Sequence, residues 1–582
     1  MKQPQERKIQ RAALLLLLAL AMVAAACGEA EDTTSADEGE DVAEETEEGE
    51  EVEDDEGDEE GGDEEEAAGD RVDGGTVIFG AEQEPAILNP SIQEGILFAT
   101  SVVVAPQLYP LWRITPELDF EPLLLDGEPV VEEDPFRVTY TLKEDAVWSD
   151  GTPITARDVE FTWERRVDPE VEVANRTGYD QVSDVEIVDD KTITFTFEEV
   201  YAPWRLMFST IDGVILPAHI LEGEDLNEVW RDDIPVASGP FMFEEWNRGV
   251  DLTLVKNENY WGTEPSLDRI VFRFLEDSST QVQQLRGGEI DVLAPQPQID
   301  LVEQIEAIDD VVLNAVAGPS WEHLNLQADK PELAPLFVRQ AIAKGIDRAA
   351  LVDALIAPIQ PDAEPLDSIF YLTNQPEFEP NWSDALAFDP EAAEQLLIDN
   401  GCELGDDGVY VCDGVRLSIP YATTTGNERR ELTFEVLQAQ LADIGIELSA
   451  DFSEASVLFG TRLFERDFSI SAWGWTGTPD PFNTISQWGC TDEDAGTGGQ
   501  NFTGVCSEEA TELMREANQE IDPGRRTELF QEADALLAEL VPVIPLYQTP
   551  TITAYNTRVA GVETNPSSVG PTWNTQDWYL TE

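Results

Sequence analysis

The chain has 582 residues and is strongly acidic: 121 Asp and Glu against 33 Lys and Arg give a formal net charge of −88 at pH 7. This length exceeds what one hydrophobic core organises, so two or three lobes are expected. The charge excludes nucleic acid as a partner, because a polyanion is repelled by a surface of the same sign. The acidic surface also predicts a high-salt habitat, where screening limits self-repulsion.

The first residues have the features of an export signal. Four basic residues precede an unbroken apolar run over residues 12–26, which is too short to span a bilayer comfortably. Small residues stand directly before Cys27, and this junction resembles a bacterial lipobox, in which the cysteine is lipidated and becomes the new N-terminus. Ala24 departs from that pattern, which usually has leucine. Residues 1–26 are therefore predicted to be a lipoprotein signal peptide, with an ordinary secretory signal as the alternative.

An acidic segment follows the predicted lipidation site. Residues 28–70 are almost entirely Glu, Asp, Gly, Ala, Ser and Thr, without Lys, Arg or aromatic residues. Such a segment cannot bury apolar surface and repels itself. Residues 27–73 are predicted to be a disordered tether that holds an exported protein, by lipid only, at the outer face of the cytoplasmic membrane.

The first half of the body is rich in strand patterns. Alternating or β-branched runs predict strands over 76–80, 136–142, 192–197, 239–246 and 270–274. Between two of these, Thr155 with Asp158 three residues later resembles a capping box and predicts the start of a helix that carries Val159 and Trp163.

The second half alternates helices with strands. Helices are predicted over 337–346, from Asp347, from Asp389-Pro390 to Gly401, over 432–444 and from Asp522-Pro523 to about Leu540, with a strand over 446–452. This alternation predicts an α/β lobe.

Four cysteines remain after Cys27. Cys402 and Cys412 flank a predicted hairpin with an Asp-Gly turn, and Cys490 and Cys506 flank a polar, glycine-rich loop. In an exported protein, two local disulfides are expected. A metal site is disfavoured by the wide spacings and by a total of two histidines, so neither a metal nor a cofactor is predicted.

Four blocks together carry a family resemblance. They are Trp148–Val159, Ser238–Phe241 with Asn257–Gly262, Leu285–Asp291 and Val338–Arg348. In order and spacing they resemble the extracellular solute-binding proteins of family 5, the dipeptide, oligopeptide and nickel type that serve ATP-driven importers. The resemblance covers residues 74–582. Residues such as Trp148 and Arg339 are expected to hold the fold together rather than to touch ligand.

The resemblance implies an α/β fold of the periplasmic-binding-protein type (type II, cluster C), with three lobes and a cleft that closes by a hinge. Lobe I would comprise 74–108, 236–316 and 545–582, lobe II 109–235, and lobe III 317–544. Ligand would be trapped between lobes I and III, because only contact with both can favour the closed state. A monomer is expected, whose closed form the membrane permease recognises.

The sequence favours a binding protein over an enzyme. His219 lies in a segment that resembles a structural segment of the family, and His323 lies in a strand that could approach the cleft. Neither stands beside a nucleophile-elbow pattern, and no phosphate loop or metal motif is found. A sensory receptor on the same fold, without transport, stays open as an alternative.

The segment around two tryptophans is the candidate ligand site. Trp473 and Trp475 share one face of a strand, and the following segment resembles the cleft wall of dipeptide-binding members, in which an aspartate pairs with the α-ammonium of the peptide. That position here is Thr478, and the nearest carboxylate is Asp480. Trp321 is a candidate for the facing wall, as is the segment Gln93–Ser101.

Two ligand classes follow from this segment. If Asp480 reaches the cleft, a peptide with a free amino terminus fits and is the favoured ligand. If Asp480 only caps a turn, a neutral or sugar-like solute stacked on Trp473 or Trp475 becomes plausible.

Overall fold

The structure is a computed structural model that describes residues 71–95, 97–173, 176–454, 457–482, 484–490, 499–567 and 569–582. The predicted signal peptide, Cys27 and almost all of the predicted tether lie outside the described residues. No helix in the described part of the chain is both long enough and apolar enough to cross a membrane.

Twelve α-helices and twenty-two strands are assigned in these residues. The helices are α1 Phe98–Val104, α2 Ala156–Val167, α3 Ala218–Leu221, α4 Ser278–Arg286, α5 Ile299–Glu306, α6 Leu336–Gly345, α7 Arg348–Leu355, α8 Pro390–Asp399, α9 Glu428–Asp443, α10 Thr484–Trp488, α11 Glu508–Ala517 and α12 Pro523–Leu540. The strands are β1 Arg71–Val72, β2 Thr76–Ala81, β3 Trp112–Ile114, β4 Phe120–Pro122, β5 Val130–Glu133, β6 Phe136–Thr141, β7 Val182–Ile187, β8 Thr192–Phe197, β9 Phe241–Asn247, β10 Asp251–Lys256, β11 Arg269–Phe274, β12 Val292–Leu293, β13 Val311–Leu326, β14 Glu403–Leu404, β15 Tyr410–Cys412, β16 Val415–Arg416, β17 Ser418–Ala422, β18 Glu447–Ala450, β19 Ile470–Thr476, β20 Val543–Asn556, β21 Val559–Ala560 and β22 Tyr579–Thr581.

A ten-stranded sheet runs through the molecule in the order β18-β17-β19-β13-β20-β12-β2-β11-β10-β9. Its two central strands, β13 and β20, have 16 and 14 residues and pair with each other antiparallel along most of that length. Their register shifts between Ala317 and Trp321. A side chain at Gly318 would meet the carbonyl oxygen of Thr549 at 2.2 Å, so only glycine allows the strands to approach this closely.

A separate four-stranded sheet, β5-β6-β8-β7, packs against α2. The capping box at the start of α2 is confirmed: the Asp158 carboxylate accepts from the Thr155 backbone N–H at 2.8 Å. Trp148 is fully buried in the same core, which agrees with a structural role for its block.

The predicted helix starts in the second half are confirmed, with one difference. The carboxylates of Asp347, Asp389 and Asp522 each accept a backbone N–H three residues later. Helix α9, predicted to begin at residue 432, begins at Glu428, because the side chain of Asn427 accepts from the backbone N–H of Arg430 and caps an additional polar turn. The strand predicted over 446–452 is shorter and is β18.

Both predicted disulfides are present. Cys402–Cys412 closes the antiparallel hairpin of β14 and β15, with Gly408 in a positive-φ turn, and Cys490–Cys506 joins the segments on either side of residues 491–498. Each bridge constrains a local loop and leaves the rest of the chain free.

Candidate functional site

The largest of the three cavities that bear on ligand binding has a volume of about 620 Å³ and lies where segments of all three predicted lobes meet. Its walls come from residues 97, 98, 101, 210–212, 294–297, 319, 320, 322, 429, 430, 474, 476, 549–552, 565–567, 570 and 571. Leu97, Phe98 and Ser101 belong to the segment predicted to face the ligand. Leu97 and Phe98 are about half exposed, which for large apolar side chains in a cavity indicates a surface available to a ligand.

A cluster of one carboxylate and two guanidinium groups lines this cavity. Glu322 of β13 is buried and accepts from Arg430 through Nε at 3.1 and 3.0 Å and through Nη2 at 2.9 Å. Arg429 reaches the same carboxylate with a single contact of 3.3 Å from Nη2. One negative charge therefore faces two positive charges.

Arg429 keeps unused hydrogen-bonding capacity. Its Nε is buried and has no hydrogen-bond partner among the described residues, whereas Arg430 also donates to the Thr424 hydroxyl at 3.1 Å. Both arginines lie in the first turn of α9, where the helix dipole adds positive potential. In a chain this acidic, the cluster makes a local site for an anionic group such as a carboxylate.

A second cavity of about 330 Å³ adjoins the first along the end of β19. Gly474 and Thr476 line both cavities, and Trp321, Trp475 and Thr478 line the second. The structure thus brings three of the five predicted ligand-binding residues together.

The two tryptophans of β19 have different surroundings. Trp473 is 2% exposed and packs edge-to-face against Phe468 and Phe502, at 6.2 and 6.0 Å between ring centroids, in a small buried cluster. It lines neither cavity, whereas Trp475 does. Trp473 supports the wall from behind because the aromatic residues beneath the strand exclude it from the cavity.

Asp480, the candidate amine-binding carboxylate, is paired with an arginine of the protein. Its Oδ1 accepts from Nη2 of Arg526 on α12 at 2.7 Å, with both side chains largely buried. Burial raises the pKa of Asp480, with Arg526 opposing that rise. Asp480 lines neither cavity. Among the described residues its carboxylate does not cap a turn, because it is held in the ion pair with Arg526. The Thr478 hydroxyl donates to the Asp480 carbonyl at 2.6 Å.

His323 is part of the aromatic wall rather than of a catalytic group. It is fully buried, 4.7 Å from the ring of Trp473 and 5.1 Å from that of Trp321. Burial, reinforced by the charge of Arg430, lowers its pKa to about 3, so the imidazole is neutral at physiological pH.

His219 and Arg339, which were also expected to be structural, contact other residues of the fold. His219 Nε2 lies 3.0 Å from the Asp150 carboxylate, at the turn of the Trp148 block. Arg339 donates to the carbonyl oxygens of Leu333 and Leu540, both at 2.9 Å, and so ties α6 to the end of α12.

The cluster of Glu322, Arg429 and Arg430 was not anticipated from the sequence. A signal was available: an Arg-Arg pair after a helix-capping Asn in a chain with few basic residues, and a Glu inside an apolar strand. Their partnership spans 108 residues, which local patterns do not encode.

A third cavity of about 270 Å³ continues from the first into the predicted lobe I. Phe79, Ala81, Ala99 and Val102 form its apolar part, Glu82, Gln83 and Gln296 its polar part, and it shares Phe98 with the first cavity. The lining is therefore mixed.

Three adjoining cavities, lined by several segments of the fold, are the arrangement expected of a protein that binds a solute. The model of the bacterial extracellular solute-binding proteins, family 5, matches residues 119–496. The chain belongs to this family, as the four blocks predicted, and its members are binding proteins for transport rather than enzymes.

Relatives are similar along most of the chain. The oligopeptide-binding protein OppA of Mycobacterium tuberculosis is 30% identical over 432 residues, 73% of this chain and 71% of the relative. The oligopeptide-binding protein AppA of Bacillus subtilis is 25% identical over 538 residues, 88% and 93% of the two chains.

Solved structures show the same fold. The periplasmic EDTA-binding protein EppA superimposes with a TM-score of 0.78 at 24% identity, over 88% of this chain and 98% of that one. AppA of Bacillus subtilis in complex with a nonapeptide gives a TM-score of 0.68 at 21% identity, over 88% and 100%. The predicted type II binding-protein fold is thereby confirmed.

Proposed function

We propose that this protein captures peptides outside the cytoplasmic membrane and delivers them to an ATP-driven permease. The observation that carries the proposal is the combination, in one cavity, of an unpaired strand edge with Arg429, whose guanidinium makes only one contact to a carboxylate already held by Arg430. The names of the relatives, which describe oligopeptide-binding proteins, agree with it.

The strand edge is provided by β19. Gly477 donates its N–H to Pro319 of β13, so residues of odd number in β19 direct their backbone groups toward β13. Gly474 and Thr476 therefore direct theirs to the opposite side. On that side β17 pairs only with residues 470 and 471, as far as the chain is described. An extended peptide can add to this edge as a further strand.

The net positive charge of the Glu322, Arg429 and Arg430 cluster, at one end of that edge, favours a ligand with a carboxylate. A side chain at Gly474 would lie 3.5 Å from Glu322 Oε1 and 3.8 Å from Arg430 Nη2, so a peptide paired here passes directly beside the charge cluster. Arg429 makes a single 3.3 Å contact with Glu322 and can therefore also donate to a peptide carboxylate. A neutral sugar would leave this charge unused, which makes it the poorer ligand.

Capture requires closure between the predicted lobes. β13 and β20 cross from one predicted lobe to another, and their irregular pairing at Gly318 places a natural bending point beside the cavity. Ligand held by β19 on one side and by Phe98 on the other contacts both lobes, so binding favours the closed form. Lipid attachment at Cys27 and the long acidic tether would keep the protein near its permease.

Calorimetric titration of the purified protein with alanine peptides of three to six residues tests the proposal. Saturable binding with a one-to-one stoichiometry is expected for at least one length. Uptake of the same peptide by cells that lack the gene should fall. Binding of a sugar, with no response to any peptide in the series or to peptides released from the purified protein, would refute it.

A further inference from the structure

The second cavity differs from the first in having no charge among its described lining residues. Its walls are aromatic and aliphatic, including Trp321, Leu372 and Trp475, or polar and uncharged, including Thr478 and Gln487. A peptide that runs along β19 with its carboxylate at Arg429 would direct its amino end toward this cavity, because Gly474 and Thr476 line both spaces.

Two carboxylates stand beside residues that line this cavity, and both are paired: Glu322, next to Gly474, with Arg429 and Arg430, and Asp480, between Thr478 and Pro481, with Arg526. Asp480 and Arg526 are 18% and 9% exposed at their side chains and form a closed one-to-one pair at 2.7 Å. The guanidinium also lies over the ring of Phe530 at 5.2 Å. Withdrawing the carboxylate to meet an amine would leave Arg526 buried without its counter-ion, which is far costlier than loss of an exposed pair.

A cationic amine would therefore enter a space lined by aromatic and uncharged polar residues, without a free counter-ion among the described residues. Desolvating an ammonium group is unfavourable unless it is paired, whereas a blocked, uncharged amide end needs only hydrogen bonds and apolar contact. Thr478 stands where the family resemblance implies an aspartate, and its own hydroxyl is engaged with the Asp480 carbonyl.

We propose that this site makes no ion pair with the α-amine and that N-blocked peptides with a free carboxylate are ligands at least as good as free peptides. Threonine at position 478 is then the residue that sets this specificity. The inference rests on the proposed function, since it concerns the amino end of the peptide captured there.

The test compares each alanine peptide with its N-acetyl form by calorimetry at pH 6.5, where the free amine is a cation. The ratio of Kd for the acetylated peptide to Kd for the free peptide should lie below 3. A ratio of 3 or more overturns the inference and leaves the proposed function standing. Failure of both forms to bind refutes the proposed function itself.

A gain-of-charge variant makes the test independent of that threshold. Thr478→Asp should shift the ratio toward the free amine by at least 10-fold relative to the wild type, while the uncharged Thr478→Asn control leaves it within 3-fold. An unchanged ratio in Thr478→Asp would show that the amino end lies elsewhere. The acidic residues of 491–498 lie outside the described residues. If one of them paired with the peptide amine, the ratio of Kd for the acetylated peptide to Kd for the free peptide would exceed 3 in the wild type.

Discussion

Two carboxylate–arginine clusters in the predicted lobe III differ in one decisive respect. Asp480 and Arg526 form a closed pair that faces neither cavity, whereas Glu322 faces two arginines at the wall of the largest cavity. Both clusters are buried, and in both the carboxylate is supplied by a different element from the arginine. Arg526 and Arg429 each have a buried Nε without a partner among the described residues, but only in the second cluster do the guanidinium groups outnumber the carboxylate. What a site can bind is therefore decided by unbalanced charge rather than by the presence of charged residues.

The two clusters should respond differently to the loss of one arginine. Arg526→Met leaves the buried Asp480 carboxylate without its partner and should lower the free energy of unfolding by about 3–5 kcal/mol, whereas Arg430→Met leaves Glu322 its contact with Arg429 and should cost less. Urea titration followed by circular dichroism measures this. Arg525→Met is the matched control, because Arg525 is 42% exposed and its pairs are at the surface; it should cost no more than about 1 kcal/mol. A loss below 1 kcal/mol for Arg526→Met would mean that Asp480 is free to serve the ligand.

His323 is a neutral buried group beside the Glu322 cluster. Its burial should make the stability of the protein fall as the pH is lowered. Its pKa is lowered to about 3 in the folded protein and lies near 6.5 when unfolded. Between these values the unfolded chain binds the extra proton, so stability falls as the pH falls, by about 1.4 kcal/mol per unit. From pH 6.5 to pH 5 the wild type should lose about 1.6 kcal/mol more than His323→Phe, because half of the unfolded imidazoles are already protonated at pH 6.5. Equal losses in the two proteins would show that the imidazole is accessible to water.

Salt distinguishes buried clusters from the acidic surface. The wild type should become more stable between 0.1 and 1 M NaCl, because the salt screens repulsion among its many carboxylates. The effect of Arg526→Met should change by less than about 0.5 kcal/mol over the same range, since a buried pair is screened much less. If the destabilising effect of Arg526→Met vanished at 1 M NaCl, the Asp480–Arg526 pair would have to be exposed to solvent. An unchanged wild-type stability would contradict the high-salt interpretation.

Local signals made much of the fold predictable. Caps such as Asp347 and Asp522, the Thr155 capping box and the Cys402–Cys412 hairpin each depend on residues within a few positions of one another, and the structure has all of them. The start of α9 was missed because its first turn, Glu428 to Glu431, has no apolar periodicity to mark it.

The site was less predictable than the fold because its contacts are long-range. Alternation placed Trp473 and Trp475 on one face, but which ring reaches the cavity depends on Phe468 and Phe502 beneath the strand. The role of Asp480, which lies in a loop, depends on Arg526, 46 residues away on α12. No spacing rule reports such a partner.

The most direct test of peptide capture is a double-mutant cycle between Arg429 and the carboxylate of the ligand. Wild type and Arg429→Met are each titrated with an alanine peptide that binds the wild type and with the C-terminally amidated form of the same peptide. If the guanidinium holds the carboxylate, either change alone should weaken binding by about 10- to 100-fold, the value of a charge-assisted hydrogen bond. The second change should then add little, giving a coupling energy of at least about 1.4 kcal/mol. Fully additive effects would contradict the assignment of Arg429 as the residue that binds the peptide carboxylate.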